Sequence, residues 1–336
     1  VNKSGWYTNF GPLHQELTSR LEAYLGVKNL LLVSNGTLAL QVAAKALNVN
    51  KALTTPFTFV ATSSSLIWQG TEIQYADIDR STLNLDPVNV EQAILKDQNI
   101  DCVVATHVYG NPCDVHAFES MRNIHNVKII YDAAHAFGVD CYGKSVLSYG
   151  DASTLSFHAT KIFHTVEGGA VTFKNEKDFQ KAKQLINFGI KDDSSIGEHG
   201  TNAKLNEYQC AVGLTILDEI EDIMLTRRSL FQFYLERLKP FVKVPEWHEE
   251  ATFNGSYMPI ILKNVKQKED LKEAFSKHHI QCRDYFYPSL NTVYKKQVSM
   301  PISERVASSV LCIPMHYYIE KKDIDLIAKV IEGVVN

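Results

Sequence analysis

Ser153-Thr154-Leu155-Ser156-Phe157-His158-Ala159-Thr160-Lys161, followed by Glu167-Gly168-Gly169, is the stretch on which the fold turns. Its first five residues read as a strand ending at Phe157, which leaves Lys161 in a loop beyond the strand's carboxyl end. Open α/β sheets collect their ligands at that edge. The glycine pair lets backbone approach backbone or ligand closely. Upstream, Ile129-Ile130-Tyr131-Asp132-Ala133-Ala134-His135 puts an aspartate at the end of a second apolar strand. A third apolar run, Leu30-Leu31-Leu32-Val33, enters the turn Ser34-Asn35-Gly36-Thr37, and an amphipathic pattern follows through Leu40, Ala43, Ala44 and Leu47.

Outward from these segments the alternation repeats. Strands are expected near 73–77, 102–107, 128–132, 153–157 and 170–173, and helices around 58–68, 89–96, 115–123 and 175–187. Leu13, Leu17, Leu21 and Leu25 recur at helical spacing, with Pro12 placed to open that helix and Gly26 to close it. Strands alternating with helices favour a mainly parallel sheet covered on both faces. The polar segment 191–201 reads as a loop. One long helical stretch, from about 205 to 238, is placed to link two lobes. The remainder, with a strand-like 257–262, a helix over 268–278 and a terminal helix over 321–334, reads as a smaller α/β lobe. The expected division is a large cofactor-binding domain over 1–235 and a small domain over 236–336, in keeping with ordinary domain sizes.

Of the 336 residues, 45% are apolar and 21% charged, enough for a sizeable core and too few charges for wholesale disorder. The 34 Lys and Arg against 38 Asp and Glu leave a net charge of −4, which argues against a nucleic-acid binder, because counterion release needs clustered positive charge. The six cysteines, at 102, 113, 141, 210, 282 and 312, form no C-x-x-C pair and read as free thiols in a reducing compartment, without a zinc site. His278 and His279, in a lysine-flanked helical stretch, read as a solvated face rather than metal ligands. No apolar run approaches the roughly 20 residues that span a bilayer. The start Val1-Asn2-Lys3-Ser4-Gly5 has no signal-peptide core, so the expected location is the cytoplasm.

A lysine and an aspartate at two strand ends, with Gly36-Thr37 at a helix start, match what a pyridoxal phosphate site needs. A lysine amine kept neutral by desolvation can form a Schiff base with the cofactor's aldehyde. A carboxylate beside the pyridine nitrogen favours its protonated form, which makes the ring an electron sink. The phosphate asks for backbone N–H groups at a helix N-terminus and for hydroxyls, and Gly36, Thr37 and Ser156 can supply them. Each signal is ordinary alone, since exposed lysines and strand-end aspartates are common.

The wording of the sequence adds what the spacing lacks. Thr8-Asn9-Phe10-Gly11-Pro12, Ser34 to Leu40, Thr55 to Thr62, His107 to Pro112, Asp132 to His135, Ser156 to Lys161, Glu167 to Gly169, Asn202 to Glu207, Arg283 to Pro288 and Leu311 to His316 together resemble the DegT/DnrJ/EryC1/StrS sugar aminotransferases. These are pyridoxal phosphate enzymes of fold type I, with the aspartate-aminotransferase-like α/β fold. The resemblance implies that Lys161 is the Schiff-base lysine and proton shuttle, and that Asp132 is the pyridinium partner. It implies that Phe59 stacks on the cofactor, that Gly36, Thr37 and Ser156 cradle its phosphate, and that Asn202 reaches the phosphate of a neighbouring subunit in a homodimer with shared sites. His135 stands where the family usually has Gln, and an imidazole there can still hydrogen-bond the ring hydroxyl. His158, Lys204, Asn9 and Tyr285 fall at positions near the substrate. The family's dehydratase branch replaces the lysine with His, so Lys161 favours amino transfer.

The implied reaction moves the amino group of L-glutamate, leaving 2-oxoglutarate, onto the keto carbon of a nucleotide-linked sugar. The start Trp6 to Leu13 is similar to members that form dTDP-4-amino-4,6-dideoxyglucose from the 4-keto-6-deoxy sugar for O-antigen or related polysaccharides. Enzymes of 3-keto sugars share the same cofactor residues. A non-catalytic cofactor-binding regulator would lack Lys161 or Asp132 or carry a basic DNA-binding segment, and a lyase would need no second keto substrate. The negative net charge does not forbid an anionic substrate, because a few donors around Lys161, His158 and Lys204 can dominate a pocket's field.

Overall fold

The computed structural model describes residues 1–295 and 298–336. Seven strands build the central sheet: β1 (Leu30–Val33), β2 (Lys51–Thr54), β3 (Glu72–Tyr75), β4 (Cys102–Thr106), β5 (Lys128–Asp132) and, beyond the short hairpin of β6 (Asp140–Cys141) and β7 (Lys144–Ser145), β8 (Ala152–Ser156) and β9 (Gly169–Phe173). Their spatial order is β1-β9-β8-β5-β4-β2-β3. β3, β2, β4, β5 and β8 are parallel, and β9 runs antiparallel to both β8 and β1. The fold is α/β, with a mainly parallel mixed sheet.

The alternation along each strand explains why both faces are covered. On β4, Val103 and Ala105 face one core with Leu17, Leu21 and Phe118, while Cys102 and Val104 face the other with Leu40, Ala43 and Ile130. The first core is roofed by helices α1 (Pro12–Leu25) and, beyond α2 (Gly36–Ala46), α3 (Val60–Trp68) and α4 (Pro87–Lys96), by α5 (Val115–His125). The second is roofed by α2 and α6 (Glu176–Leu185). Helix starts follow the local chemistry: Asn35 caps α2 by accepting from the Leu38 N–H, and Asp114 caps α5 by accepting from the Ala117 N–H. Gly26 closes α1 in the left-handed region (φ 64°), as its place in the sequence foretold.

The expected 205–238 helix is two helices, α7 (Glu207–Asp218) and α8 (Ile220–Leu238). Glu219 leaves helical angles (φ −106°, ψ 3°) at the junction, with its N–H shared between the Ile216 and Leu217 carbonyls. Beyond α8, β10 (Met258–Ile261) pairs antiparallel with β11 (Val310–Ile313). Between them lie α9 (Val265–Lys277), α10 (Asn291–Tyr294) and α11 (Pro301–Ser309), and α12 (Lys321–Val335) follows. A third core, with Phe231, Tyr234, Phe275 and Ile324, packs α8, α9 and α12 on this ribbon. A fourth cluster joins the two regions, with Phe57, Val108 and Tyr109 on one side and Phe286, Val310 and Cys312 on the other.

No helix among the described residues is long and apolar enough to cross a membrane. Among those residues, no group of three or more His, Cys, Asp or Glu side chains is arranged to hold a metal ion.

Candidate active site

The carboxyl ends of β5 and β8 and the N-terminus of α2 meet around a cavity of about 240 Å³, lined among others by Gly36, Thr37, Phe59, Asp132, His135, Ser156, His158, Lys161 and Tyr285. Nine of the residues singled out from the sequence are therefore brought together. The site sits where a parallel sheet leaves its crevice.

Lys161 follows β8 in a tight loop, with its N–H bonded to the His158 carbonyl (2.8 Å) and the loop folded back through Phe157 N–H to Gly168 O (2.8 Å). Its amine donates to the Tyr257 hydroxyl at 3.2 Å. Burial lowers its pKa from 10.5 to about 8, against a smaller opposing pull from Asp132. Asp132 ends β5 and is 5% exposed. Its Oδ2 accepts from Thr62 (2.7 Å) and its Oδ1 from the Ala134 N–H (3.1 Å). Desolvation raises its pKa, while the Thr62 and Ala134 bonds and Lys161 act the other way. A cationic group in the cavity would repay that desolvation.

His135 is buried, and desolvation, reinforced by Lys161, holds its pKa well below the ordinary value, so it is neutral. Its Nδ1 accepts from the Tyr109 N–H (3.3 Å), which leaves the proton on Nε2. The ring lies parallel to Phe286, with centroids 5.7 Å apart. Phe59 caps α3, and its half-exposed ring stands edge-on to Tyr285 at 6.5 Å. Gly36 opens α2 so close to β8 that a Cβ there would lie 2.8 Å from Ser156 Cβ. The gap between the helix N-terminus and the Ser156 side chain is thus a cradle that only glycine leaves open. Gly169 is needed for a similar reason, because a Cβ there would come within 2.7 Å of the Asn35 backbone. His158 sits at the rim, its Nδ1 2.9 Å from Thr160 Oγ1 and its Nε2 3.7 Å from Glu167.

Three of the expected residues lie elsewhere. Lys204 donates to Asn187 Oδ1 (3.0 Å) and stands over the Phe188 ring at 4.8 Å, outside the cavity lining. Asn202 is exposed and pairs in a β-bridge with Asn187, and Asn9 is exposed near the start of the chain. Conversely, sequence reasoning passed over Thr62, Tyr257 and Phe286. Thr58 and Thr62, four apart on one face of a helix start, were the available signal for the first. Thr58 joins Thr62 (2.8 Å) to Thr106 (3.1 Å) in a buried hydroxyl chain ending on Asp132. Tyr257, 96 residues from Lys161, gave none.

A second, larger cleft of about 870 Å³ opens beside the first and shares Thr160, Lys161, Tyr257 and Tyr285 with it. Arg283, His164, His316 and Tyr317 are among the side chains that line it.

These donors fit pyridoxal phosphate. The cavity offers a carboxylate whose burial calls for a cation, a lysine amine that loses its proton easily, a neutral imidazole with a free N–H, and an open cradle at a helix N-terminus. A mainly parallel sheet with such a site is that of a pyridoxal-phosphate-dependent aminotransferase with the aspartate-aminotransferase-like fold. The chain belongs to the DegT/DnrJ/EryC1/StrS aminotransferase family, whose pattern matches residues 1–332. It is 37% identical over 343 aligned positions to a dTDP-4-amino-4,6-dideoxy-D-glucose transaminase of Shigella dysenteriae, covering 98% of this chain and 92% of that protein. It is 33% identical to the Escherichia coli protein of the same description, with the same coverage. Among solved structures, it superposes with a TM-score of 0.93 on DesI crystallised with its TDP-sugar product, at 30% identity, covering 99% of this chain and 87% of that one.

Proposed function

We propose that this aminotransferase moves the amino group of L-glutamate onto the keto carbon of a nucleotide-linked deoxysugar. The favoured conversion is dTDP-4-keto-6-deoxy-D-glucose to dTDP-4-amino-4,6-dideoxy-D-glucose, with 2-oxoglutarate released. The observation that carries the reading is the partly buried amine of Lys161, with its pKa lowered to about 8, in one cavity with the buried carboxylate of Asp132. The likeness to two transaminases of that amino sugar directs the choice of substrate.

When bound, pyridoxal phosphate supplies an electron-withdrawing ring that carries the amino group from donor to acceptor. Lys161 would hold the cofactor, and its amine would move the proton at the reacting carbon. A pKa near 8 suits that exchange, because the amine is readily emptied and refilled near neutral pH. Asp132, oriented by Thr62 and Ala134, would accept a hydrogen bond from the ring nitrogen and favour its protonated form. His135 would offer its Nε2–H to the ring oxygen, and Phe59 would cover the ring. Gly36, Thr37 and Ser156 would hold the phosphate at the start of α2. The adjoining cleft, with Arg283, His164 and His316, has the room and the donors for a nucleotide diphosphate, and Tyr285 and His158 stand where the sugar would pass.

In this reading residues 1–235 form the cofactor domain and 236–336 the small domain. Two copies form a homodimer in which Asn202 reaches the other copy's phosphate, while Lys204 and Asn9 approach the substrate across the same interface. The exposure of Asn202 and Asn9, away from their own chain's cavity, agrees with that arrangement. The enzyme works in the cytoplasm and supplies surface polysaccharides such as O-antigen.

The test offers 4-keto and 3-keto dTDP-sugars side by side with L-glutamate and locates the product amine by NMR. An amine at C4, with the 3-keto sugar turned over poorly, is expected. Preferential amination at C3 would overturn the choice of substrate.

A further inference from the structure

We infer that Tyr257 is a positioning residue for Lys161, its hydroxyl holding the lysine amine at the mouth between the cofactor cavity and the larger cleft. The inference rests on the reading of Lys161 given above. The Tyr257 hydroxyl lies 3.2 Å from Lys161 Nζ, and that amine is 5.6 Å from the Tyr257 ring centroid. Tyr257 lines both cavities, so it stands where a substrate entering from the cleft meets the lysine.

The phenol, just before β10, is held from several sides. Its ring packs edge-on to His135 (4.7 Å) and Tyr285 (5.6 Å) and tilts against Tyr109 (6.0 Å). The turn before it is pinned from two sides. Arg227 on α8 is buried and spends its guanidinium on backbone alone, donating to Gly255 O, Ser256 O and Met315 O, each at 3.1 Å. Asn254 is buried, donates to His135 O (2.9 Å) and Phe137 O (3.0 Å), and accepts from the Ser256 N–H (2.9 Å). Gly255 takes φ +66°, and a Cβ there would lie 2.7 Å from Arg227 O. The large lobe and α8 therefore fix the backbone on both sides of the segment that delivers this one hydroxyl.

A hydroxyl suits the task because it serves both forms of the lysine. It accepts an N–H from the ammonium and donates to the lone pair of the neutral amine, adding no charge beside Asp132. Burial pushes the phenol's pKa up, with Tyr285 and Cys312 adding to the effect and Arg227 and Arg283 opposing it, so it stays protonated. The other titratable groups around the amine are Asp132 and the neutral His135. The bond to the ammonium is the charge-assisted and stronger of the two. Removing the hydroxyl should then lower the lysine's pKa as well as loosen its aim.

Tyr257→Phe keeps the ring and removes only the hydroxyl. In the holoenzyme, kcat is expected to fall about 10- to 100-fold, with KM changed less than about threefold. The acid limb of the pH profile should move down by about half a unit or more. A readout apart from turnover is the pH dependence of Lys161 acetylation, followed by mass spectrometry after the holoenzyme has been reduced to its amine form with glutamate, when the lysine is free. Its midpoint should drop in parallel. The melting temperature should stay within about 4 °C of the parent. If the variant folds poorly, 4-aminophenylalanine at position 257 takes its place, and recovery of both midpoints toward the parent is expected. Lys161→Ala is the control. If it is inactive while Tyr257→Phe keeps the parent's kcat, acid limb and labelling midpoint, Tyr257 has no such role. A fall in kcat with both midpoints unmoved, or no recovery with the amino analogue, overturns it equally. An active Lys161→Ala enzyme defeats the reading of the lysine itself, and Tyr257 falls with it.

Discussion

At the scale of single residues, the site is organised by two groups that burial holds against their preferred charge. The lowered pKa of Lys161 makes it a destabilising residue in the cofactor-free chain, because its charged form is penalised on folding. Between pH 8 and 10.5 the unfolded chain holds a proton there that the folded chain has released, so this contribution to stability rises with pH across that window. Below about 8 the penalty is complete, and a shift from 10.5 to about 8 corresponds to roughly 3 kcal/mol. Lys161→Met should therefore be more stable than the parent at pH 7, with the difference vanishing toward pH 10.5. Urea unfolding of the two cofactor-free proteins across that range checks it, and a constant difference would contradict it. Asp132→Asn should behave differently. Asparagine can still accept from Thr62 or from the Ala134 N–H but not from both, so stability should change by about 1 kcal/mol or less. Turnover should drop about 100-fold or more, because the variant lacks the charge that, in the proposed function, would keep the ring nitrogen protonated. Steady-state kinetics beside thermal melting separates the two effects.

At the scale of elements, the critical contact is the approach of α2 to β8. In Gly36→Ala, the new Cβ would lie 2.8 Å from Ser156 Cβ and 3.2 Å from its Cα, so the helix start must move off the strand. The expected loss is about 1–3 kcal/mol of stability and about tenfold or more in cofactor affinity, read by fluorescence titration of the cofactor-free protein. Parent-like affinity would remove Gly36 from the cradle. This part of the molecule was legible in the sequence, since a strand, an Asn-Gly-Thr turn and an amphipathic run stand in one short segment. The antiparallel course of β9 was not. Its five residues are all buried and read the same in either direction, and only the pairing of Gly169 with Val33 and Ser156 fixes it. The break at Glu219 was hidden for the converse reason, because apolar spacing continues through Ile216, Ile220 and Ile223. β2, four residues long and with Thr54 its one β-branched residue, and the pair α11–β11 carry too little periodicity to announce themselves.

At the scale of the whole molecule, the site is a meeting of distant segments. Lys161, Asp132 and Ser156 come from strand ends that the sequence marked clearly. Tyr257, Tyr285 and Phe286 come from beyond α8 and reach the cavity through the fourth apolar cluster, where Phe286 packs on Phe57 (5.7 Å) and Tyr109 (5.7 Å). Of these, Tyr285 was expected near the substrate from the family resemblance alone, while nothing local in the chain forecasts the approach of Tyr257 and Phe286, which is a property of the tertiary packing. In the proposed homodimer, Asn202 would extend the logic to a second copy. Mixing Asn202→Ala with Lys161→Ala subunits should restore activity in the hybrids, each of which then contains one site with both parent residues. Hybrids as inactive as the parent variants would speak against a shared site.

The most direct test of the central claim follows the nitrogen itself. Holoenzyme is incubated with 15N-L-glutamate and dTDP-4-keto-6-deoxy-D-glucose, and the sugar product is read by NMR and mass spectrometry, with Lys161→Ala alongside. The expected result is one 15N on C4 of the product, one 2-oxoglutarate for each amine formed, and no labelled sugar from the variant. Sugar that gains no 15N, or Lys161→Ala that labels it at the parent's rate, would contradict the account.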